Sequence, residues 1–450
     1  MNTKTINEDT IVAIATANGI GSIGIVRLSG SMALKIALNI SKRKSLNPRM
    51  ATLSKLYNIS NQLIDEVILL YFQNPHSFTG EDIVEFQCHG GSIITQMILK
   101  ECLLHGARVA NAGEFSKRAF LNGKIDLSQA MAIAKLIEAR SEEGVKLLAR
   151  QLKGELKNFV DSIKDDMLFI LAYTEVTIDY ATEDLPDDIL QTIQIKLDFI
   201  SEKLQNTLEA SCRREGLIEG FKIAIIGKPN VGKSSLLNKL LNFNRAIVSD
   251  IAGTTRDTIE ESVKIGTHLI KIVDTAGIRE ASDEIEKIGI QRSKEAVDQS
   301  DIIIALFDGS REFDQEDQKV IELLEYSQKE SIVVVTKSDL ESKLPLDKLK
   351  SEYISVNTNK SINTLVEKIE SILDSNSYEN GITLVATNQI EAVKETLEKI
   401  KNSKDPLARG ELEFFSYYIN EALQAISKIT RPYEYDQMLD QMFGQFCLGK

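Results

Sequence analysis

FKIAIIGKPNVGKSSLLNKLL, residues 221–241, decides the fold at the centre of this chain. Phe221–Ile226 is short, apolar and rich in isoleucine, which suits a buried strand. Then comes G-x-x-x-x-G-K-S, from Gly227 through Lys228, Pro229, Asn230, Val231, Gly232 and Lys233 to Ser234; Ser235 begins a helical run. Strand, glycine loop and helix in that order are the context a phosphate-binding loop requires. The glycines let backbone N–H groups approach β-phosphate oxygens, and the helix N-terminus adds a favourable dipole. Lys233 supplies a mobile cation to the β/γ oxygens, and the Ser234 hydroxyl suits Mg²⁺. A glycine turn with no ligand is the bland alternative, and the placement between strand and helix argues against it.

The elements that follow keep a consistent order. Leu269–Asp274, Asp301–Phe307 and Ser331–Val335 are runs dominated by Ile and Val, as expected of strands buried in a parallel sheet. Asp274-Thr275-Ala276-Gly277 closes the first of them, with a carboxylate for the Mg²⁺ shell and a glycine N–H for a γ-phosphate. Asp250-Ile251-Ala252-Gly253-Thr254-Thr255 begins a Gly/Thr-rich loop, DIAGTTRD, whose Thr255 completes the Mg²⁺ shell. Thr336-Lys337-Ser338-Asp339 follows SIVVV, and a carboxylate there accepts from guanine N1–H and the 2-amino group together. Adenine offers neither donor in that geometry, so GTP is favoured over ATP. Ser355-Val356-Asn357 supplies the last loop beside the base. The expectation is a doubly wound α/β P-loop GTPase module.

Two residues depart from the usual pattern. Thr336 stands where GTPases commonly have Asn. Ile278 follows Gly277 where many place a Gln to orient the attacking water; isoleucine cannot do this, and ASDEIEKIGI offers Glu284 and Glu286 instead. Both acids also suit a helix start.

Outward from the module the pattern changes. Residues 1–120 read as mixed α/β, with strands expected at Ile11–Ala15, Ile23–Leu28, Glu66–Phe72 and Asp82–Gln87 and helices at Ser31–Ile40 and Ile93–Leu104. From Asp126 to Ala210 apolar residues recur at helical spacing, which predicts two or three long helices with Pro186 in a turn. Helical spacing returns after the polar joint DSNSYENG, 374–381. One helical domain with the α/β module inserted accounts for helices on both sides.

Composition limits the function classes. With 43% apolar and 26% charged residues the chain can build several cores, and about 150 residues per domain gives about three units. Four cysteines, at 88, 102, 212 and 447, cannot staple a chain this long. Only Cys88 and His89 lie close together, which is poor metal spacing. No apolar run reaches membrane-spanning length and the start lacks a signal peptide pattern, so a cytoplasmic location is expected. The net charge of −13 excludes a simple nucleic-acid coat. It is uneven: residues 1–120 hold 12 cations against 9 carboxylates, and the rest 41 against 57.

GKPNVGKSSLLN, DIAGTTRDTIEE, DTAGIREASDEIEKIGI, SFTGEDIVEFQCHGG, GEFSKRAFLNGKIDLSQA and the terminal FCLGK together resemble the MnmE (TrmE) family of tRNA-modification GTPases. The resemblance covers nearly the whole chain. It implies an N-terminal α+β folate-binding and dimerisation domain over 1–122 and a discontinuous all-α helical domain over 123–216 and 376–450. A G domain would be inserted over 217–375. It implies a homodimer acting with the flavoprotein MnmG, which carries FAD, on the wobble uridine of certain tRNAs. It assigns Arg27, Glu85, Lys124 and Lys450 to a one-carbon tetrahydrofolate of the 5-formyl or methylene type. It assigns Asn230, Ser249, Ile251 and Thr254 to K⁺, Glu286 to the nucleophilic water, and Cys447 to a place near the folate and to a catalytic thiol. By residue chemistry alone Cys447 reads as a buried apolar cysteine; a prenylation signal is excluded by the terminal Lys450. A GTP-dependent ribosome-assembly factor docking on rRNA shares the G-domain motifs, but does not need the N-terminal signature or CLGK.

Overall fold

Alternating burial along IGIVRLS and IVEFQCH builds the first sheet of the computed structural model. The structure describes residues 9–17, 19–139, 141–179, 189–243, 260–274, 294–327, 329–349, 352–356, 359–375, 381–431, 443–444 and 446. The chain divides into two compact units: Met1–Ala134 with Leu152–Lys164 and Leu423–Lys450, and Lys135–Gln151 with Asp165–Ala422.

In the first unit, β1 (Ile11–Ile14), β2 (Ile23–Ser29), β3 (Thr52–Tyr57), β4 (Leu63–Phe72), β5 (Ile83–His89) and β6 (Arg108–Val109) form one sheet. Its order is β3-β4-β5-β2-β1-β6, antiparallel except for β1 beside β6. Helices α1 (Ala33–Ser41) and α2 (Ser92–Leu104) contribute Ile36, Ile40 and Ile98 to a core with Val26, Leu28, Leu69 and Phe86 of the sheet. The two-residue period of a strand turns Arg27 and Glu85 away from that core, and the register sets them opposite each other. Helix α3 (Glu114–Leu121) is fixed by Arg118, which is 3% exposed and pairs with Asp9, Glu81 and Glu114 at 2.7, 3.1 and 3.0 Å. Removing one member of such a buried set leaves an uncompensated charge, so the set fixes this geometry. Strands β3 and β6 and helix α3 were not expected from the sequence. TLSKLY has only half its residues inside, and two or eight residues are too few to display a period.

Among the described residues, 126–219 hold four helices rather than two or three: α4 (Leu127–Glu138), α5 (Glu142–Leu152), α6 (Glu155–Asp179) and α7 (Ile189–Glu219). Gly154, at φ +84°, ends the run through α5 in a conformation that side chains disfavour. Pro186 lies outside the described residues.

The second sheet holds β7 (Phe221–Ile226), β8 (Glu260–Ile265), β9 (His268–Asp274), β10 (Ile302–Asp308), β11 (Glu330–Thr336) and β12 (Tyr353–Val356), in the order β12-β11-β10-β7-β9-β8. All pairings are parallel except β8 with β9. The hairpin strand β8 was not expected; its EESVKI mixes charge with apolar residues, as an edge strand does. Helices α8 (Lys233–Phe243), α9 (Gln315–Ser327) and α10 (Asn359–Ser375) accompany this sheet. Val and Ile residues fill separate apolar clusters on its two faces. The chain winds away from β7 in both directions, so the crevice beyond the carboxyl ends of β7 and β10 is a topological switch point.

Helices α11 (Thr387–Arg409) and α12 (Leu412–Ser427) follow among the described residues. The chain leaves and re-enters that part at neighbouring points. Arg214 of α7 donates to Gly381 O (3.0 Å) and Thr383 Oγ1 (2.8 Å), and Leu384 N donates to Ser211 Oγ (2.8 Å). Gln151 of α5 donates to Thr383 O at 2.6 Å. These bonds satisfy the backbone of a buried connection.

Candidate functional site

The phosphate loop emerges from β7 at the switch point. Gly227 has φ +151°, and a Cβ there would stand 2.7 Å from Leu306 O, so only glycine lets the loop pass β10. Asn230 (φ 60°) and Gly232 (φ 108°) are also left-handed, which turns successive backbone N–H groups inward. Lys233 Nζ donates to Gly227 O (2.6 Å) and Lys228 O (3.0 Å), so its ammonium lies inside the loop's curve. Ser234 and Ser235 are exposed on the first turn of α8. Asp274 closes β9, and the register sets it beside Ile225, near the end of β7. The Ser234 hydroxyl, exposed at the start of α8, is a hard oxygen donor of the kind that fits Mg²⁺.

Lys228 has a role the sequence did not reveal. Its ammonium is buried and meets Asp317 Oδ2 at 2.7 Å and Asp314 Oδ2 at 2.9 Å. Burial would lower its pKa, but the hydrogen bonds it donates to Asp317 and Asp314 hold it above the usual lysine value. Asp314 Oδ1 also accepts from the N–H groups of Glu316 and Asp317, capping α9. The loop is thereby fastened to α9 through a side chain 89 residues away. Lys228→Met is expected to lower stability by about 3 kcal/mol, because it strands a buried carboxylate. Lys228→Met/Asp317→Leu should recover most of that loss in denaturant titrations; equal stability of wild type and single variant would refute the role.

The segment expected to read the base, Thr336–Asp339, is tied down from three directions. Thr336 Oγ1 donates to Val231 O at 2.6 Å and lies 3.2 Å from Phe307 O. Thr336 therefore joins the base loop to the phosphate loop despite lacking the amide usual at that position. Lys337, at φ 55°, donates from Nζ to Asp308 Oδ2 at 2.6 Å. Burial would raise the Asp308 carboxyl, but the Lys337 ammonium, the Ser310 hydroxyl and the Ser310 N–H hold it below the usual carboxylate range. Asp339 is exposed, and Ser355 and Val356 end β12 beside Val335 and Thr336. Ser338 falls between Lys337 and Asp339 in the same turn. Asp308 was missed as a support because a strand-end Asp-Gly reads only as a turn. Ser249–Thr255, Thr275–Gly277, Glu284, Glu286, Asn357, Cys447 and Lys450 lie outside the described residues.

A second polar site lies on the first unit's sheet. Arg27 Nε donates to Glu85 Oε1 at 2.9 Å, and the guanidinium lies 5.8 Å from the Phe115 ring centroid. Glu85 Oε2 takes no hydrogen bond among the described residues, so it can accept from the amino group and ring N–H of a pterin. Phe446 and Phe443 pack at Gly113, where a Cβ would meet Phe443 O at 2.2 Å, two residues before Phe115. The segment next to Cys447 thus reaches the start of α3. Lys124 lies along Gly80, whose absent Cβ would be 3.0 Å from Lys124 Cε. Among the described residues no contact joins Lys124 to the Arg27–Glu85 pair. Cys88 and Cys102 are free and buried, and burial pushes the Cys88 thiol up to about 11. Among the described residues no three His, Cys, Asp or Glu gather as metal ligands, and no helix is long and apolar enough to cross a membrane.

Comparison with known proteins covers both sites. Residues 10–124 match the family model for the GTP-binding protein TrmE N-terminus, and residues 127–447 match that for the MnmE helical domain. A protein of Aliarcobacter butzleri named tRNA modification GTPase MnmE is 64% identical over 444 residues, 98% of this chain and 99% of that protein. Proteins of the same name from Sulfurimonas denitrificans and Sulfurovum sp. are each 58% identical, covering 99% and 98% of this chain and 100% and 99% of theirs.

Proposed function

The chain belongs to the MnmE family of tRNA modification GTPases, and from that premise we propose that it hydrolyses GTP to drive modification of the wobble uridine of certain tRNAs. The observation that carries the reading is the pairing of two sites in one chain. One is a phosphate loop tied through Thr336 to a guanine-reading carboxylate. The other is an Arg27–Glu85 pair with a free acceptor oxygen.

The product is a carboxymethylaminomethyl-type group on C5, made with the flavoprotein MnmG, and the working form is a homodimer. The sites divide over 1–122, 123–216, 217–375 and 376–450. Lys233 meets the β/γ-phosphate oxygens, backbone N–H groups of 230–235 cradle the β-phosphate, and Asp339 selects guanine. Ser234, with Thr255, would hold Mg²⁺, which neutralises phosphate charge when bound. Asn230, Ser249, Ile251 and Thr254 would hold K⁺, which supplies the positive charge an arginine finger gives elsewhere. Glu286 orients the attacking water, and nucleotide-dependent approach of two G domains couples hydrolysis to modification. Arg27, Glu85, Lys124 and Lys450 hold the folate, whose carboxylate and pterin edge match their charges; Cys447 lies beside it.

Glu286→Ala is expected to leave GTP binding intact and to lower turnover by roughly 10²–10³, the usual cost of losing a general base. Single-turnover phosphate release checks this, and an unchanged rate would refute the assignment. The function itself is tested by mass spectrometry of tRNA from cells lacking the chain. Loss of the modified wobble uridine is expected; normal wobble uridines would sink the reading in favour of an rRNA-binding assembly factor.

A further inference from the structure

Residues 10–64 contain seven cations and not one carboxylate. The remainder of this acidic chain carries 46 cations against 66 carboxylates, so the segment is a marked exception. Arg27 is already engaged with Glu85. The other six, Lys35, Lys42, Arg43, Lys44, Arg49 and Lys55, are all exposed, and none forms an ion pair among the described residues. They lie on α1, on the loop after it and on edge strand β3, where Lys55 alternates with the buried Ser54 and Leu56 and so faces the side of the sheet away from α1.

The fold holds these charges in place. Lys35 and Asn39 are the exposed positions of α1, and Lys42 caps its C-terminal end. Lys42 ends α1 at φ 53° and sits 4.4 Å from the Tyr57 ring centroid. Arg43 donates from Nε to Ser54 Oγ at 2.9 Å and from its other nitrogen to Leu53 O. Arg49, at φ 61°, donates through its side chain to His76 O at 2.9 Å and through its backbone to Tyr71 O at 2.7 Å. A left-handed position favours Gly or Asn, yet here two cations occupy such positions.

The neighbouring carboxylates do not quench this surface. Asp82 accepts from Tyr71 Oη and Asn74 N, and Asp65 is taken by His89. Only Glu66 faces a member of the set, opposite Lys55 across the strand pair. The exposed face of α1 carries Lys35 and Asn39, while Met32 before it, Met50 of the loop and Leu53 of β3 are exposed apolar side chains among the cations. We infer that α1, the loop of residues 42–50 and β3 form a docking surface for the phosphate backbone of RNA. This rests on the tRNA-modifying reading above and names where the tRNA meets the chain.

The test uses the full chain and an unmodified tRNA transcript, with binding followed by fluorescence anisotropy between about 50 and 200 mM salt. Lys35→Gln/Lys42→Gln/Lys44→Gln is expected to weaken binding at least about tenfold and to make the log–log salt slope shallower by about 2, since each phosphate contact contributes about 0.7–0.9. Lys153→Gln/Lys394→Gln/Lys401→Gln changes net charge equally on other surfaces and should stay within about threefold of wild type, the size of a long-range charge effect alone. Equal loss in both triples, or loss in neither, overturns the surface. So does retained tRNA affinity with lost binding to phosphatidylglycerol vesicles, which would assign the cations to lipid. Should the first triple melt lower than wild type, Lys35→Gln/Lys44→Gln, which leaves the Tyr57 contact intact, carries the same expectation at about two-thirds of the slope change. If cells lacking the chain lose the modified uridine while the variant binds tRNA like wild type, the surface falls and the function stands. If those cells keep normal wobble uridines, both fall.

Discussion

Asp339→Asn is expected to reverse nucleotide preference from GTP to xanthosine triphosphate, by about 10⁴ in relative kcat/KM. A carboxylate accepts from guanine N1–H and the 2-amino group at once, whereas the amide of Asn presents a donor to one of those positions. Xanthine carries a carbonyl where guanine carries the 2-amino group, so the amide matches it and the carboxylate repels it. The scaffold around the residue should survive the change. Asp339 is exposed, and its loop is held through Thr336 to Val231 O, through Lys337 to Asp308, and by Gly309 N donating to Thr336 O at 2.9 Å. The effect should appear in substrate choice without a fall in melting temperature. Steady-state turnover of both triphosphates by wild type and variant checks it; a variant that still selects GTP would remove Asp339 from base recognition.

Replacing K⁺ by Na⁺ at constant ionic strength is expected to lower kcat by about 10³, the scale of an arginine finger. Charge builds on the transferred phosphoryl group in the transition state, and a cation bound beside it offsets that charge. Asn230 is held left-handed between Lys228, whose side chain is fastened to Asp317, and Gly232. A rigid oxygen donor there would favour an ion of one size, because selectivity among monovalent ions depends on cavity size and on the number of coordinating oxygens. Ionic strength must be matched, since exposed charges are screened equally by either salt. Equal rates in the two salts would refute the potassium assignment while leaving the GTP site intact.

The phosphate loop was legible because its parts are contiguous: strand, loop and helix start occupy fifteen or so neighbouring residues, and each glycine serves a local backbone need. The parallel strands were legible from continuous Ile and Val runs, since both faces of that sheet are buried. Edge strands β3 and β8 were not, because a strand with one solvated side mixes residue types. In sequence Thr336 is only a departure from the usual Asn. The structure shows its hydroxyl making the tie to Val231 O.

From sequence alone the chain was determined to hold a guanine-nucleotide module between helical segments, behind an N-terminal α+β part. Those features follow from period and local motif. Tertiary structure alone decided which residues support the chemistry: Lys228 with Asp317, 89 residues apart; Thr336 with Val231, 105 apart; Arg27 with Glu85, 58 apart. It also decided that Lys42 and Arg43, at the end of α1, meet Tyr57 and Ser54 of edge strand β3. The reason is physical. Strand register and helix packing bring distant residues together, and no spacing along the chain encodes a partner that only a shared core places within reach.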